Sequence, residues 1–303
     1  MQIPRGKLTT KTGKEKQTRL AVKEQAELMK FLLAEIPNKS RSEVKSLLAH
    51  HQIWVDNEVI TQYNHPLEMG QEVIVNWTKV LVEKQPQGLN IVFEDPYIII
   101  IEKEAGLLSI ATATEKEQTA YSILSEHVKK RDPKNKIFVL HRLDRETSGV
   151  MMFAKSEKVQ QLLQNAWKET VLERSYIAVV EGFVTKEQGT ITSWLTESKA
   201  FIMYSSRTPN DGQKAVTHYQ VLKKNKHYSL LEVKLETGRK NQIRVHMQDI
   251  GHSVVGDKKY GATKHPIGRL GLHARVLAFK HPITGEEVRY ETDIPKEFLN
   301  LFS

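Results

Sequence analysis

The chain has 303 residues, no cysteine, and 45 Lys and Arg residues against 36 Asp and Glu, which gives a formal net charge of +9. The lack of cysteine excludes disulfides, thiolate catalysis and cysteine-ligated metal sites, and it is typical of a reducing compartment, so we expect a cytoplasmic protein. No apolar run approaches the roughly 18 residues that a membrane-spanning helix needs. The positive charge favours a polyanionic partner, and nucleic acid is the first candidate.

Residues 1–23 form a basic, polar segment, with seven Lys and Arg residues against one Glu and few apolar side chains. Such a composition buries too little apolar surface to offset the entropy of ordering, so we predict a disordered tail. An RNA-binding arm and a merely solvated tail both fit this pattern.

Residues 24–78 have the pattern of two short helices followed by a small antiparallel unit. Apolar residues first recur at helical spacing. Ser40, with Glu43 three residues later, is then typical of the N-terminus of a second helix. This order resembles the αL RNA-binding domain of the fourth small-subunit ribosomal protein. The resemblance implies that Arg41 and Lys45 contact RNA phosphates.

Residues 79–90 include a Pro-Gln-Gly stretch and predict a linker. The remaining residues, 91–303, alternate many strand patterns with fewer helical ones, and short turns join neighbouring strands. This predicts an α+β fold with a mixed, mainly antiparallel sheet and flanking helices. Strands are predicted at 97–101, 137–140, 150–154, 176–180, 230–235, 276–279 and 287–290, and helices at 119–130 and from 156 onward.

The most informative stretch is His141–Gly149, which reads HRLDRETSG and lies between two apolar runs. Two rigid elements therefore hold a carboxylate, Asp144, between two arginines, as scaffolds do with reacting groups. The alternative is an arginine–aspartate ion pair that only anchors the loop. The local pattern does not separate the two interpretations.

A second stretch, residues 237–247, leads from a strand through a glycine turn into a helix. Asn241 is the predicted N-cap, so Arg244 falls in the first turn. A cation there opposes the helix dipole, at a cost of about 0.3–1 kcal/mol. We therefore expect a compensating carboxylate, and Asp144 is the best candidate. An exposed arginine is the alternative.

Further candidates are weaker when each is taken alone. Arg239 and Lys240, beside the glycine turn, suit phosphate contacts, but a solvated turn has the same residues. Tyr176 opens a strand, where a tyrosine is more often packed than catalytic. The loop at Gly256-Asp257 is basic and carries an aromatic residue, which is weak support for RNA contact.

Metal and nucleotide cofactors are not expected. The 12 histidines form no His-Glu-x-x-His pattern, and no cysteine is available to complete a zinc site. The sequence also lacks a Walker A motif and a Gly-x-Gly-x-x-Gly motif.

Four stretches together resemble the RluA-type pseudouridine synthases, in residue type and in order. The resemblance covers the chain from about residue 91 onward, and an αL-like domain is a common companion in that family. It implies that uridine is isomerised to pseudouridine within RNA, without cofactor or metal. We expect the substrate to be structured ribosomal or transfer RNA and the enzyme to be a monomer. The stretches are residues 141–149, Arg174–Tyr176, 238–244 and Gly256-Asp257.

The resemblance also implies roles for individual residues. Asp144 is the catalytic carboxylate, Tyr176 stacks on the target base, and Arg244 pairs with the carboxylate. Arg142 helps to hold the target nucleotide outside the helix. Extruding a base costs a few kcal/mol, which a stacked ring and an inserted side chain offset.

Two alternatives come from other functional classes. A non-catalytic RNA-binding or ribosome-assembly factor could use the same fold, but the aspartate, tyrosine and arginine positions are all filled. A glycoside hydrolase could use Asp144 and Glu146 as a carboxylate pair. The basic composition suits RNA better than a neutral sugar.

Overall fold

The structure, a computed structural model, divides the chain into two compact units, Met1–Lys84 and Gln85–Ser303. The division falls inside the predicted linker, although Leu89 and Asn90 of that linker already form the start of the first strand of the second unit. No helix within the described residues is long and apolar enough to cross a membrane. The structure describes residues 17–49, 52–56, 58–77, 88–112, 118–209 and 211–303.

The first unit places two helices over a small sheet of strand order β1-β6-β3-β4, with a separate two-stranded ladder of β2 and β5. Its core is built from the apolar faces of both helices and of β6, including Leu32, Val44 and Val75. The elements are β1 (Gln17–Ala21), β2 (Ala26–Glu27), α1 (Leu28–Glu35), α2 (Arg41–Ala49), β3 (Ile53–Val55), β4 (Glu58–Val59), β5 (Pro66–Leu67) and β6 (Glu72–Asn76).

The predicted disordered tail is wrong at its C-terminal end. Residues 17–21 form β1, which pairs antiparallel with β6, and the Trp77 indole donates a hydrogen bond of 2.7 Å to Thr18. Leu20 and Val22 alternate with small or polar residues, as in a strand with one buried face. The prediction of disorder gave more weight to the net charge of the segment than to this alternation. Residues 1–16 lie outside the described part of the chain.

The N-terminus of α2 confirms the sequence interpretation. Ser40 Oγ accepts a hydrogen bond from the Glu43 amide at 3.3 Å, and the Glu43 carboxylate accepts one from the Ser40 amide at 2.8 Å. These reciprocal bonds satisfy two helix-terminal amides. The first helix begins at Leu28, four residues later than predicted.

The second unit is built on one large sheet with helices packed on it. Its first half contains β7 (Leu89–Glu94), β8 (Ile98–Lys103), α3 (Ala120–Lys129), β9 (Phe138–Val139), β10 (Ser148–Ala154), α4 (Glu157–Asn165), α5 (Trp167–Thr170) and β11 (Val171–Glu181). Its second half contains β12 (Gln188–Glu197), β13 (Met203–Ser206), β14 (Gln213–Lys224), β15 (Tyr228–Leu235), α6 (Gln242–Asp249), β16 (Leu272–Lys280), β17 (Glu287–Glu291) and α7 (Lys296–Leu299), with 3-10 turns at Lys258–Tyr260 and Asn300–Phe302.

The strand order of this sheet is β13-β12-β14-β15-β11-β16-β10-β8-β7, with β17 beside β16 and β9 beside β10. Among the described strand pairs, β10 and β16 run parallel and the others antiparallel, which confirms the predicted mixed α+β sheet. The parallel pair is short, because it joins only Ser148 to His273 and Gly149 to Ala274. Gly149 has a φ of 114°, and a Cβ at this position would overlap the Ala274 carbonyl.

The predicted strand at residues 137–140 is shorter than expected, because only Phe138 and Val139 pair with β10. The chain then leaves the sheet and forms a loop over residues 140–147 before it enters β10. The HRLD stretch is therefore an ordered loop between two paired strands, as its flanking apolar runs indicated.

Candidate active site

A cavity of about 200 Å³ lies where the 140–147 loop, β11 and the N-terminus of α6 meet. The six predicted site residues of the second unit all line it. Their convergence on one cavity could not be predicted from any two neighbouring motifs of the sequence. They are Arg142, Asp144, Tyr176, Arg239, Lys240 and Arg244. The other two predicted residues, Arg41 and Lys45, are exposed on α2 of the first unit.

A larger cavity, of about 830 Å³, lies elsewhere in the second unit and is lined by Lys103, Ser148 and Arg269, among others. None of the eight predicted residues lines it. The smaller cavity is therefore the candidate site, because chemistry depends on which groups converge rather than on volume.

The loop that carries Asp144 is clamped on both sides of the carboxylate. The Leu143 amide donates to Ser109 Oγ at 3.1 Å, and Ser109 donates back to the Leu143 carbonyl at 2.6 Å. On the other side, the buried Lys103 ammonium donates to the Arg145 carbonyl at 3.0 Å and to the carbonyls of Glu104 and Leu107. These bonds fix the backbone of the loop, so Asp144 is held in one place.

Burial lowers the pKa of Lys103 to about 8. The three carbonyl acceptors nevertheless match the three N–H donors of an ammonium group. Sequence reasoning assigned no site role to Lys103, which lies 41 positions before Asp144 in the chain.

The main partner of Arg244 is Asp257, which the sequence interpretation named as part of the Gly256-Asp257 loop but not as a partner of Arg244. Arg244 Nε lies 2.6 Å from Asp257 Oδ2, and Nη2 lies 2.8 Å from Oδ1, so the pair is bidentate. The Asp257 side chain is 1% exposed. Two-pronged ion pairs of this kind fix orientation as well as charge.

This pairing leaves one nitrogen of Arg244 for the cavity. Nη1 lies 3.3 Å from Asp144 Oδ2 and 3.2 Å from Asn241 Oδ1. The predicted contact between Arg244 and Asp144 is therefore present, but Asp144 is not the main carboxylate that compensates the charge of Arg244. Asp257 has that role, since it is the more buried and the closer carboxylate.

Asn241 does not cap α6 as predicted. Its φ is 54°, in the left-handed region, and its side chain makes no capping hydrogen bond. The side chain instead accepts from Arg244 and donates to the Tyr260 hydroxyl at 2.8 Å. The Tyr260 ring lies against the guanidinium, 4.9 Å from its carbon. Arg244 is thus surrounded by Asn241, Tyr260 and Asp257. These contacts orient its Nη1 towards Asp144.

Helix α6 is anchored from beneath by His246, which is fully buried. One ring nitrogen lies 2.8 Å from Ser193 Oγ on β12, and the other lies 2.8 Å from Thr217 Oγ1 on β14. On the inner face of α6, Ile243, His246 and Met247 are buried, and Ile250, just after the helix, is partly exposed.

Buried histidines make this unit sensitive to acid. Burial lowers the pKa of His141, His246 and His273 to about 4, from 6.5. The unfolded chain therefore binds more protons between pH 6.5 and 4, so stability is full above pH 6.5 and is lost as the pH falls through this window. We expect urea unfolding at pH 4.5 and pH 7 to differ by about 2 kcal/mol for each such histidine.

His246→Gln tests this expectation, because it removes one titrating group while a polar side chain remains. The variant should lose less stability than the wild type between pH 7 and pH 4.5. His227→Gln, at an exposed position on the same unit, is the matched control and should follow the wild type. An unchanged pH dependence in His246→Gln would show that His246 is not the group that titrates.

Tyr176 lies on β11 and is partly buried against the two apolar clusters on either side of the cavity. Burial raises the pKa of its hydroxyl. The ring is therefore a neutral phenol at neutral pH, with one part in the core and one part in the cavity. Such a ring can stack on a base and still donate a proton or a hydrogen bond.

The predicted RNA contacts at the cavity differ in their surroundings. Arg142 is exposed. Arg239 donates to the Lys214 carbonyl at 3.2 Å, and Lys240 forms an ion pair with Glu197. Lys240 is therefore partly neutralised, which sequence reasoning did not foresee.

Within the described ranges, no group of three or more His, Asp or Glu side chains is placed to hold a metal ion.

Comparisons with known proteins bear on this geometry. The RNA pseudouridylate synthase family matches residues 97–249. YjbO of Bacillus subtilis, an RNA pseudouridine synthase, is 33% identical over 82% of this chain and 88% of its own length. The ribosomal large subunit pseudouridine synthase D of Neisseria meningitidis serogroup B is 32% identical over 88% of this chain and 75% of its own length.

Solved structures show the same fold. The structure of human RNA pseudouridylate synthase domain containing 4 has a TM-score of 0.57 and 24% identity, and it matches 69% of this chain and 90% of its own. The matched family segment includes the loop of Asp144, the strand of Tyr176 and the helix of Arg244. The chain therefore belongs to the RNA pseudouridylate synthase family and is an isomerase that acts on RNA.

Proposed function

We propose that this enzyme converts specific uridines to pseudouridine in structured ribosomal or transfer RNA, with Asp144 as the catalytic carboxylate. The observation that carries the proposal is the convergence of Asp144, Tyr176 and Arg244 on one cavity. The name of one relative, ribosomal large subunit pseudouridine synthase D, favours large-subunit ribosomal RNA as the first substrate to test.

The target uridine leaves its stack before it reacts. A cavity of about 200 Å³ admits a single nucleotide but no base-paired duplex. Flipping a base costs a few kcal/mol, and side chains at the site must offset that cost. Tyr176 offers a partly exposed ring for stacking, and Arg142 is an exposed cation that can occupy the space left in the RNA helix.

In this proposal Arg244 acts on Asp144 rather than on RNA. Its Nη1, which Asp257 does not engage, lies 3.3 Å from the Asp144 carboxylate and 3.2 Å from Asn241 Oδ1, while Asp257 holds the other two nitrogens. The pair keeps the reacting carboxylate in one orientation, which is how preorganised charge contributes to catalysis. The enzyme needs no cofactor in this scheme, because isomerisation moves a glycosidic bond within one nucleoside.

The test uses purified enzyme, with in vitro transcribed large-subunit ribosomal RNA and transfer RNA as substrates. Pseudouridines are then mapped base by base, and the sites lost from total RNA on deletion of the gene identify the natural target. We expect a small set of uridines in loops or stems to be converted. Conversion of no uridine in either RNA or in total RNA would contradict the proposal.

The first unit is proposed to bind RNA backbone through α2, in the manner of the αL domain that it resembles. Arg41 and Lys45 are both exposed on this helix. Replacing both with glutamine should weaken RNA binding at all sequences alike and lower the slope of log Kd against log salt by about two, one for each lost phosphate contact. The measurement is filter binding at several salt concentrations.

The matched control is Lys30→Gln, an exposed lysine on α1 of the same unit. It should leave the salt slope unchanged. A wild-type salt slope in the double variant would show that α2 is not part of the RNA-binding surface.

A further inference from the structure

The hairpin of β12 and β13 carries aromatic side chains in solvent at its tip. Phe201 is 70% exposed, and Tyr204 is 50% exposed. The φ of Phe201 is 59°, in the left-handed region, which bulky residues rarely adopt. Backbone strain of this kind concentrates at functional positions, because it persists only where the surrounding structure enforces it.

Hydrogen bonds fix the backbone at the tip of the hairpin, so the Phe201 ring is held in one position in solvent. The Ser198 amide donates to the Ile202 carbonyl at 2.8 Å, and the Phe201 amide donates to the Ser198 carbonyl at 2.9 Å. Lys259 donates to the Phe201 carbonyl at 2.8 Å from the loop that also carries Asp257. These bonds fix the backbone conformation that presents the phenyl ring to solvent.

The hairpin is also docked at the rim of the candidate site. The Met203 amide donates to the hydroxyl of Tyr260, whose ring packs on Arg244. Lys240 lines the cavity, and its ammonium lies 5.6 Å from the centre of the Phe201 ring. Lys240 therefore connects the exposed Phe201 ring to the cavity.

The charges around the tip favour a polyanion. Lys199, Lys240 and Lys259 are exposed on or beside the tip. Glu197, the carboxylate nearest to Lys240, is already paired with it. A cluster of cations around an exposed aromatic ring is the arrangement by which proteins bind unpaired nucleotides, with the ring stacked on a base and the cations near the backbone.

We propose that Phe201 is a stacking platform for an unpaired base that neighbours the target uridine in the RNA. The inference rests on the proposed function for its substrate, RNA with an unpaired neighbour. It goes further, because it assigns a second contact surface outside the cavity. Lys240 and Lys259 would lie along the backbone between the stacked base and the flipped uridine.

The experiment is RNA binding by the full chain, with transcribed large-subunit ribosomal RNA and transfer RNA as the two ligands. Phe201→Ala and Phe201→Leu should each raise the Kd about tenfold on the RNA that is modified, because stacking is lost in both. Phe201→Trp should stay within about twofold of the wild type, because an aromatic face remains. The slope of log Kd against log salt should not change, since no phosphate contact is removed.

Phe183→Ala is the matched control. Phe183 is 48% exposed and also lies under a lysine, Lys224, at 4.4 Å, but this lysine, unlike Lys240, does not line the cavity. Its Kd should equal that of the wild type. Thermal melting of each variant checks that the fold is kept.

Wild-type affinity in Phe201→Ala, or wild-type affinity in Phe201→Leu beside a loss in Phe201→Ala, would overturn the stacking assignment. An equal loss in Phe183→Ala would do the same. Binding is measured without turnover, so a failed stacking assignment is distinguishable from a failed proposed function. In the latter case the wild type binds RNA but converts no uridine.

Discussion

Asp144→Asn is expected to abolish pseudouridine formation while RNA binding persists. The substitution keeps the size of the side chain and removes its negative charge, so the reacting carboxylate is lost. The fold should survive, because Arg244 keeps its bidentate pair with the buried Asp257. We expect the single-turnover rate to fall by at least about 10³-fold, as it does when a catalytic group is removed. The Kd for RNA should stay within about threefold.

The control is Glu146→Gln, which changes the neighbouring exposed carboxylate of the same loop. It should retain the wild-type rate, and this result would also exclude a mechanism that needs both carboxylates. Pseudouridine is counted per RNA molecule after a single turnover. Turnover by Asp144→Asn at a readily measured rate would show that Asp144 is not the catalytic carboxylate.

Asp257→Ala is expected to have the second-largest effect, on stability and on rate together. Removing one partner of a buried ion pair leaves the other charge uncompensated, at a cost of about 3–5 kcal/mol of unfolding free energy. Arg244 also loses the two bonds that direct its third nitrogen to Asp144. Asp257→Asn, which keeps an acceptor for the Tyr260 amide, should lose less stability but still lose rate.

A double variant separates stability from chemistry. Arg244→Met with Asp257→Leu replaces the pair with apolar side chains, which is often neutral for stability. We expect unfolding free energy near that of the wild type and a rate as low as in Asp257→Ala. Restored turnover in the double variant would show that the pair is structural only.

The exposed pair of Lys224 and Glu187 gives the matched control. Glu187→Gln should cost less than about 1 kcal/mol, because exposed ion pairs contribute little. Urea unfolding measures the stabilities, and single-turnover assays measure the rates. A loss below 1 kcal/mol in Asp257→Ala, with an unchanged rate, would contradict the role assigned to Asp257.

Local patterns predicted most of the elements. The helices predicted at 119–130 and from 156 onward are present, and Thr119 and Ser156 accept hydrogen bonds from their N-terminal amides. The strand of Tyr176 was likewise predicted, although it runs from Val171 to Glu181. These features depend on neighbours within a few positions, so the sequence alone specifies them.

The site was predictable only in part, because its geometry depends on pairs far apart in the chain. The placement of Arg244 in a helix first turn predicted that a carboxylate was required. It did not predict which one, and the pairing with Asp257 arises from the fold of the loop after α6. The αL conformation of Asn241 was not predicted either, since a capping asparagine and a left-handed one share the same sequence signature.

The short parallel ladder of β10 and β16 has a consequence for synthesis on the ribosome. Asp144 precedes Arg244 by 100 positions in the chain. The residues of β16 that pair with β10, His273 and Ala274, are translated later still. A nascent chain therefore displays the Asp144 carboxylate long before Arg244 is positioned. Because non-local pairings form slowly, we expect the site to be complete only after β16 has been made and has paired with Gly149.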